Sequence, residues 1–303
     1  MTRTGINGTT HPMVSIGMPL YNAERFAREA IDSILSQTFT DFELIMSDNA
    51  STDATATICQ AYAVEDPRVC FVRNQRNLGA ARNFNAVFAL SSGPYFKWAA
   101  ADDMCYPTFL ERCVEVLERH PDAVIAYPRT QVIDDEGTPL EVGRDTLRLD
   151  SADVRDRFTD TLSPLRYTNY PFYGLIRRGA LERTRLMVEY LAADRCLLAE
   201  LSLSGRFVEI DETLFCRRTP RGNRAGTGQE LSYNRGGKPI KYFFPTWHIF
   251  LEHHRSVIRS PLPLKMKSEL VGILWRWAVA NRGAYRYDIT RNLRSLFGKR
   301  TVP

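Results

Sequence analysis

Through the first 130 residues, short apolar β-rich runs alternate with segments whose apolar residues recur at helical spacing, the signature of βαβ units feeding a parallel sheet. Val14 to Met18 reads as the first strand. A helix is predicted from about Ala23 to Gln37, with Phe26, Ala27, Ala30, Ile31, Ile34 and Leu35 on one stripe and Asn22 as its cap. Phe42 to Ser47 is the second strand, and Ser51 the expected cap of a helix reaching about Val64, with Asp53 favouring its positive end. Val69 to Arg73, Tyr95 to Ala100 and Val124 to Tyr127 follow as strands, separated by helices over about 79–90 and 107–119. Pro107 suits a first helical turn, where its missing N–H would have no partner.

Beyond Arg129 the pattern loosens. Asp134-Asp135-Glu136-Gly137 reads as a turn, Leu181 to Leu203 as helical and Phe207 to Cys216 as strand. Thr219 to Lys238 is a Gly/Arg-rich loop and the candidate for a mobile lid. The chain thus divides into a flexible N-terminus (1–13), a first half (14–130), a second half carrying the Gly/Arg-rich loop (131–240) and a basic helical extension (241–303).

With 303 residues, 44% apolar and 25% charged, the chain can bury a sizeable core, which excludes disorder and fibrous classes. Net charge is +5, yet the segment from Pro261 onward carries nine basic and two acidic residues, so the rest is slightly acidic. Trp275, Trp277, Tyr285 and Phe297 interleave with that basic segment. Such a mixture is either a solvated helical face with inward aromatics or a surface for anionic headgroups and phosphates. Six cysteines form no CxxC pair, which points to reduced thiols, and neither a secretory signal nor a spanning stretch is read, so a cytoplasmic protein is expected.

Ligands of open parallel sheets settle at the carboxyl ends of strands, and here those positions are polar and acidic. Strand one ends in Pro19-Leu20-Tyr21-Asn22, strand two in Asp48 to Asp53, and strand four in Ala101-Asp102-Asp103. No GxGxxG or P-loop is present, so phosphate must be handled otherwise. The Asp102-Asp103 pair offers hard oxygens to Mg²⁺ or Mn²⁺, which could bridge a diphosphate; alternatively these are helix-start residues ahead of Pro107. His248, His253 and His254 lack metal-ligand spacing and suggest packing or surface roles.

Six ordered segments together resemble glycosyltransferase family 2. They are Val14 to Asn22, Ser33 to Thr38, Phe42 to Ile45, Asp48 to Asp53, Asn77-Leu78-Gly79 with Ala81-Arg82-Asn83, and Asp102-Asp103 before Pro107. The resemblance implies an α/β GT-A fold: a Rossmann-like mixed sheet flanked by helices, here with a C-terminal helical extension. It also implies a nucleoside-diphosphate sugar donor, with a UDP-sugar foremost, and inversion at the anomeric carbon. By the same resemblance, Pro19 and Tyr21 lie against the nucleobase, Asp48 accepts its imide hydrogen and Arg82 lies near the nucleotide. Asp102 is implied as the ligand of Mg²⁺ or Mn²⁺ with Asp103 as its neighbour, although Ala100 replaces the aspartate often found first in this signature.

Tyr173 to Arg178, Ala193 to Leu201 and Leu214 to Arg218 are similar to the acceptor-side half of the family. Asp194 matches the catalytic base, preceded by Ala193 where a glutamate is usual, and Glu200 is the reserve. Arg217, Arg218, Arg221 and Arg224 are candidates to close over the diphosphate. The implied acceptor is a glycan or lipid-linked hydroxyl, with no nucleic-acid role, and the basic extension is expected to give peripheral contact with the inner membrane face. Ala100 and Ala193 also motivate a non-catalytic sugar-nucleotide or glycan binder.

Overall fold

The computed structural model describes residues 3–4, 10–143, 147–162, 170–190, 192–219 and 244–297. Its centre is a nine-stranded mixed sheet. Strands β1 (Val14–Leu20), β2 (Phe42–Asp48), β3 (Val69–Arg73) and β4 (Tyr95–Trp98) are mutually parallel, in the order β3-β2-β1-β4. Helices α1 (Ala27–Leu35), α2 (Thr55–Glu65) and α3 (Ala80–Leu90) connect them. Every residue of β1 and β4 is buried, as expected for strands covered on both faces.

The second half extends the same sheet. Strand β5 (Met104–Cys105), helix α4 (Phe109–Arg119), β6 (Ala123–Ile133) and β7 (Pro139–Gly143) come first, followed by α5 (Val154–Thr161). A 3-10 turn over Tyr170–Tyr173 leads into β8 (Leu175–Arg177), α6 (Arg178–Leu181), α7 (Ala193–Ser202) and β9 (Arg206–Arg218). β8 lies between β4 and β6 and runs antiparallel to both, while β9 pairs with β6 in parallel. The fifth strand of the expected βα series therefore does not join the parallel block directly. Helices α8 (Pro245–Arg259), α9 (Leu264–Ala280) and α10 (Arg282–Phe297) complete the chain.

Alternation along the strands splits the core by face. Leu44 and Met46 meet Ile31, Ile58 and Phe109 on one side, whereas Ile45, Phe96 and Trp98 meet Val87, Phe88 and Leu197 on the other. On that second side Trp98 stacks on Phe172 at 5.0 Å and meets Phe96 edge to face at 4.9 Å. Gly17 is required there, because a Cβ would lie 2.6 Å from Val87 and 2.8 Å from Phe96. α5 and α7 to α10 enclose a third core, with Phe158, Phe250, Val257, Leu270 and Leu274.

Three local expectations are corrected. Asn22 does not cap α1: it has φ +49°, the helix starts five residues later, and its side chain accepts from Thr52 N–H at 2.9 Å. Ser51 does not cap α2, which begins at Thr55; its hydroxyl is donated to Asp48. The Leu181 to Leu203 helix is broken, because the Asn85 side chain both donates to and accepts from the Met187 backbone, at 2.8 and 3.0 Å. That segment is held by a tertiary pair in place of helical bonds, and α7 starts only after Ala192 at φ +61°. The Gly/Arg-rich loop, with Arg221 and Arg224, lies outside the described residues except for Thr219.

Arg218, the last residue of β9, ties the second half to the first. Its buried guanidinium donates to the carbonyls of Asp102 (3.2 Å), Asp134 (3.0 Å) and Asp135 (3.1 Å) and to Glu29 Oε2 (2.6 Å), over the Phe26 ring at 4.3 Å. Removing it strands three carbonyl acceptors and the Glu29 carboxylate. Arg218→Met is therefore expected to lower unfolding free energy by about 3 kcal/mol, with Arg218→Lys recovering under half of the loss, as read from urea denaturation midpoints.

Candidate active site

Because β1, β2 and β4 are parallel neighbours, their carboxyl ends share one edge of the sheet. Leu20 is in register with Asp48, and Ala99 N–H donates to Gly17 O at 2.9 Å, so Tyr21, Asp48 and Asp102 all follow from that edge. Pro19 is buried in β1 opposite Ser47, beyond the last β1–β4 pair at Gly17, where its missing N–H interrupts no ladder. Tyr21 is half-buried at the mouth.

Asp48 is fully buried at the end of β2. It accepts from Ser51 N–H at 3.2 Å and from the Ser51 hydroxyl, and pairs with Arg73 Nε at 3.1 Å. The loops after β1 and β2 are zipped to each other. Asn22 N–H donates to Ser51 Oγ (2.9 Å), Ala23 N–H to Thr55 Oγ1 (2.7 Å), Glu24 N–H to Asp53 Oδ2 (3.1 Å) and Ala54 N–H to Glu24 Oε2 (2.9 Å). Beneath them Asn83 on α3 donates to Ser47 O at 2.9 Å, while Asn74 donates to Asn83 Oδ1 at 3.1 Å and to Asn49 Oδ1 at 3.2 Å. Asn74 and Asn83 thus tie the loop after β2 to α3. Arg82 is exposed on α3 and paired with Glu189, so its guanidinium is anchored to the segment before α7.

The acidic turn after β4 sits beside this rim. Asp103 is buried and accepts from Arg218 N–H at 2.9 Å. Burial, and then the charge of Asp102, push its pKa well above the ordinary carboxylate range, with the Arg218 N–H and the charges of Arg217 and Lys97 opposing. Asp102 is exposed in front of it, and desolvation raises its pKa, opposed by the charges of Arg217 and Arg218.

Asp194 reaches the same place from the first turn of α7, half-buried. Burial raises its pKa, opposed by Arg195 N–H, donated to Oδ1 at 2.8 Å, and by the charges of Arg195 and Arg217. At the buried Tyr173, burial first and then the charges of Asp103, Asp102 and Asp194 push the phenol pKa up, with Arg217 opposing, so all three carboxylates bear on one phenol. Glu200, the reserve base, is a third of a turn round the helix from Asp194 and accepts from Arg185 N–H at 3.1 Å, so its face of α7 is a different one.

Lys97 completes the site and was not singled out by motif reasoning. Its ammonium is buried, donates to Tyr173 O and lies 4.3 Å from the Phe109 ring centroid and 5.0 Å from that of Phe215. The signal was available as a lysine inside the otherwise aromatic strand Tyr95-Phe96-Lys97-Trp98. Arg217 is the cation that bears on all three aspartates, whereas the guanidinium of Arg218 is consumed by carbonyls and Glu29.

Among the described residues, no group of three or more His, Cys, Asp or Glu is arranged to hold a metal ion. What the turn offers is one accessible carboxylate, Asp102, a donor set that fits a hard divalent ion completing its shell with water and phosphate oxygens. The histidines pack: His253 is buried between Phe158 and Trp277, and its pKa falls to about 4 through burial and the charge of His254. A cavity of about 520 Å³ opens at the opposite end of the sheet, lined by Tyr95, Glu118, Asp122 and Arg177. Arg177 is spent on the carbonyls of Ala123, Leu117 and His120, which leaves that cavity without a free guanidinium.

Known proteins bear on this geometry. The family model described as glycosyl transferase family 2 matches residues 15–185. EpsE of Bacillus subtilis, a protein named as a glycosyltransferase, is 36% identical over 127 residues, covering 42% of this chain and 46% of that protein. The chondroitin synthase of Escherichia coli is 33% identical over 132 residues, or 44% of this chain and 19% of that one. The chain spans less than half the length of these curated relatives. Among solved structures, S. aureus TarS 1-349 in complex with UDP superposes with a TM-score of 0.65 at 16% identity, over 94% of this chain and 75% of that one. The mannosyltransferase PcManGT of Pyrobaculum calidifontis, in complex with GDP-Man and Mn²⁺, gives 0.51 at 17% identity over 96% and 89%. The family match covers more than half of the chain, including the parallel strands and the Asp102-Asp103 turn, so the chain belongs to glycosyltransferase family 2 and has the GT-A fold.

Proposed function

We propose that the chain transfers a sugar from a nucleoside-diphosphate donor to an acceptor hydroxyl with inversion. The observation that carries this reading is that the charges of Asp102, Asp103 and Asp194 all bear on the buried Tyr173, opposed by Arg217, while Tyr21 follows and Asp48 ends neighbouring parallel strands of the same sheet. Tyr21 and Pro19 lie against the base and Asp48 accepts its imide N–H. A buried carboxylate fixed by Ser51 and Arg73 is preorganised to read such a donor. The fold shared with the UDP-bound TarS supports a uridine diphosphate sugar as donor. Arg82 stands at the nucleotide's edge, oriented by Glu189.

In the transfer, the Asp194 carboxylate takes the proton of the acceptor hydroxyl as that oxygen attacks the anomeric carbon. The bond from that carbon to the phosphate oxygen breaks on the opposite face, and its electron pair leaves with the nucleoside diphosphate. Asp102 would hold Mg²⁺ or Mn²⁺, which when bound neutralises charge on the diphosphate. Asp103, fixed by Arg218 N–H, sets the turn from which Asp102 projects. Arg217 balances the aspartates that line the cleft. The acceptor is a glycan or lipid-linked hydroxyl, and the setting is the cytoplasm or the inner membrane face.

Asp194→Asn is expected to leave nucleotide affinity intact and to lower turnover by ~10²- to 10⁴-fold, the usual worth of a general base. Unchanged turnover in single-turnover kinetics would remove Asp194 from the mechanism. Since the native pKa of Asp194 is raised, the fold loses stability as pH rises from the ordinary aspartate value towards the raised native one, and the penalty is present in full above it. Asp194→Asn should therefore keep or raise the neutral-pH melting temperature while activity collapses. Wild-type turnover should fall on acidification at a pH above the ordinary aspartate value of about 3.9, as a pH–rate profile would reveal.

The donor reading has its own readout. Asp48→Asn should weaken binding of UDP about tenfold or more by calorimetry, since hydrogen bonds to a charged group contribute ~1.5–3 kcal/mol. Asp102→Asn should abolish any dependence of UDP affinity on Mn²⁺ while leaving metal-free affinity within a few fold. Equal UDP affinity in wild type and Asp48→Asn would refute the assignment of Asp48.

A further inference from the structure

The C-terminal helices close over α5 and α7 through their own core, and their outer faces are not polar as a solvated helix requires. On α8, Trp247, Leu251 and Ile258 stand at i, i+4 and i+11; on α9, Leu264, Trp275 and Val279 stand at i, i+11 and i+15. All six are exposed, Ile258 at 65% and Leu264 at 84%, and helical spacing puts each trio on one stripe. His254 falls in the α8 stripe, and its ring centroid is 6.1 Å from that of Trp275. The two stripes therefore meet across the α8–α9 seam.

The flanks of this face are of one sign. Arg255 and Arg259 lie beside the α8 stripe, Lys265 and Arg276 beside the α9 stripe, and Arg282 and Arg286 are exposed on α10. The acids of these helices are each engaged by other groups of the chain. Glu252 is buried with Arg185 and Arg255, Glu269 pairs with Arg155 at 3.0 Å, and Asp288 is buried and accepts from Thr246 N–H. No described helix is long and apolar enough to cross a membrane.

We propose that the outward faces of α8 and α9 dock the protein on an anionic phospholipid leaflet, the helices lying in the interfacial plane. The chemistry matches on each count. Two exposed tryptophans suit the boundary between headgroups and acyl chains, Leu and Ile side chains enter the outer acyl region, and arginine and lysine flanks meet lipid phosphates. An apolar stripe of this extent on a protein surface marks an interaction site. The excess basic charge of Arg259, Lys265 and Arg276, with Arg255 paired to Glu252, selects lipid over a second copy of the chain, because a two-fold contact through this face would press these flanks together. The inference needs no sugar donor and stands apart from the transfer reaction.

The test is flotation of the full chain with vesicles of phosphatidylcholine alone or mixed with phosphatidylglycerol, at low and high salt. The protein is expected to float only with the anionic vesicles and to be released by salt, since surface charge is screened beyond a Debye length. The double variant K265Q/R276Q should partition roughly 30-fold more weakly, the loss of two headgroup charges. I258E/L264E, which alters two exposed positions, should abolish flotation while circular dichroism and UDP binding stay as in wild type. Failure of the wild type to float at low salt overturns the proposal, as does flotation untouched by both variants. A dimer in sedimentation equilibrium that I258E/L264E dissociates, with no vesicle binding, would assign the face to a second copy and equally overturn it.

Discussion

Burying ionic groups at the strand ends, without leaving any of them alone, is the constraint on which the cleft depends. Three aspartates close together would repel strongly in a medium poorer than water in screening. The fold answers with Lys97 beneath the turn, Arg217 among the carboxylates and Arg218 behind them. These cations are not interchangeable. Lys97 is a point charge packed on Phe109 and Phe215, whereas Arg218 uses its planar fork to satisfy three backbone carbonyls at once.

The loops after β1 and β2 are held rigid by one another. Two loops that would each fray alone are cross-bonded, side chain to backbone, from Asn22 to Thr55. Asn22 and Ala50 sit in left-handed backbone, at φ +49° and +60°. For Ala50 that conformation costs about 1 kcal/mol, a local strain the surrounding bonds sustain. The strand-end edge thus combines a stiff pair of loops with carboxylates carried by α7 and by the turn after β4.

Much of this was legible before any coordinates. The strand at Val69–Arg73 falls where the apolar run predicted it, and those beginning at Val14, Phe42 and Tyr95 start there, because buried parallel strands leave continuous runs that local sequence cannot disguise. The acidic strand ends were visible as well. Less legible were the helix starts, where Asn22 and Ser51 have the chemistry of caps yet are taken by partners about 30 residues away. The 182–190 segment likewise has helix-forming residues, and only the Asn85 side chain, across the fold, pulls it out of helix.

The sequence by itself determined the sheet-and-helix alternation, the candidate acids and the basic, aromatic character of the last helices, since these rest on residue type and spacing. Tertiary structure alone decided that β8 enters between β4 and β6, that Arg217 serves the acids while Arg218 is structural, and that the acids of α8 to α10 are engaged by other groups of the chain. Those outcomes depend on which groups are brought together from distant parts of the chain, and charges and hydrogen bonds act over a few ångströms of space, not along the sequence.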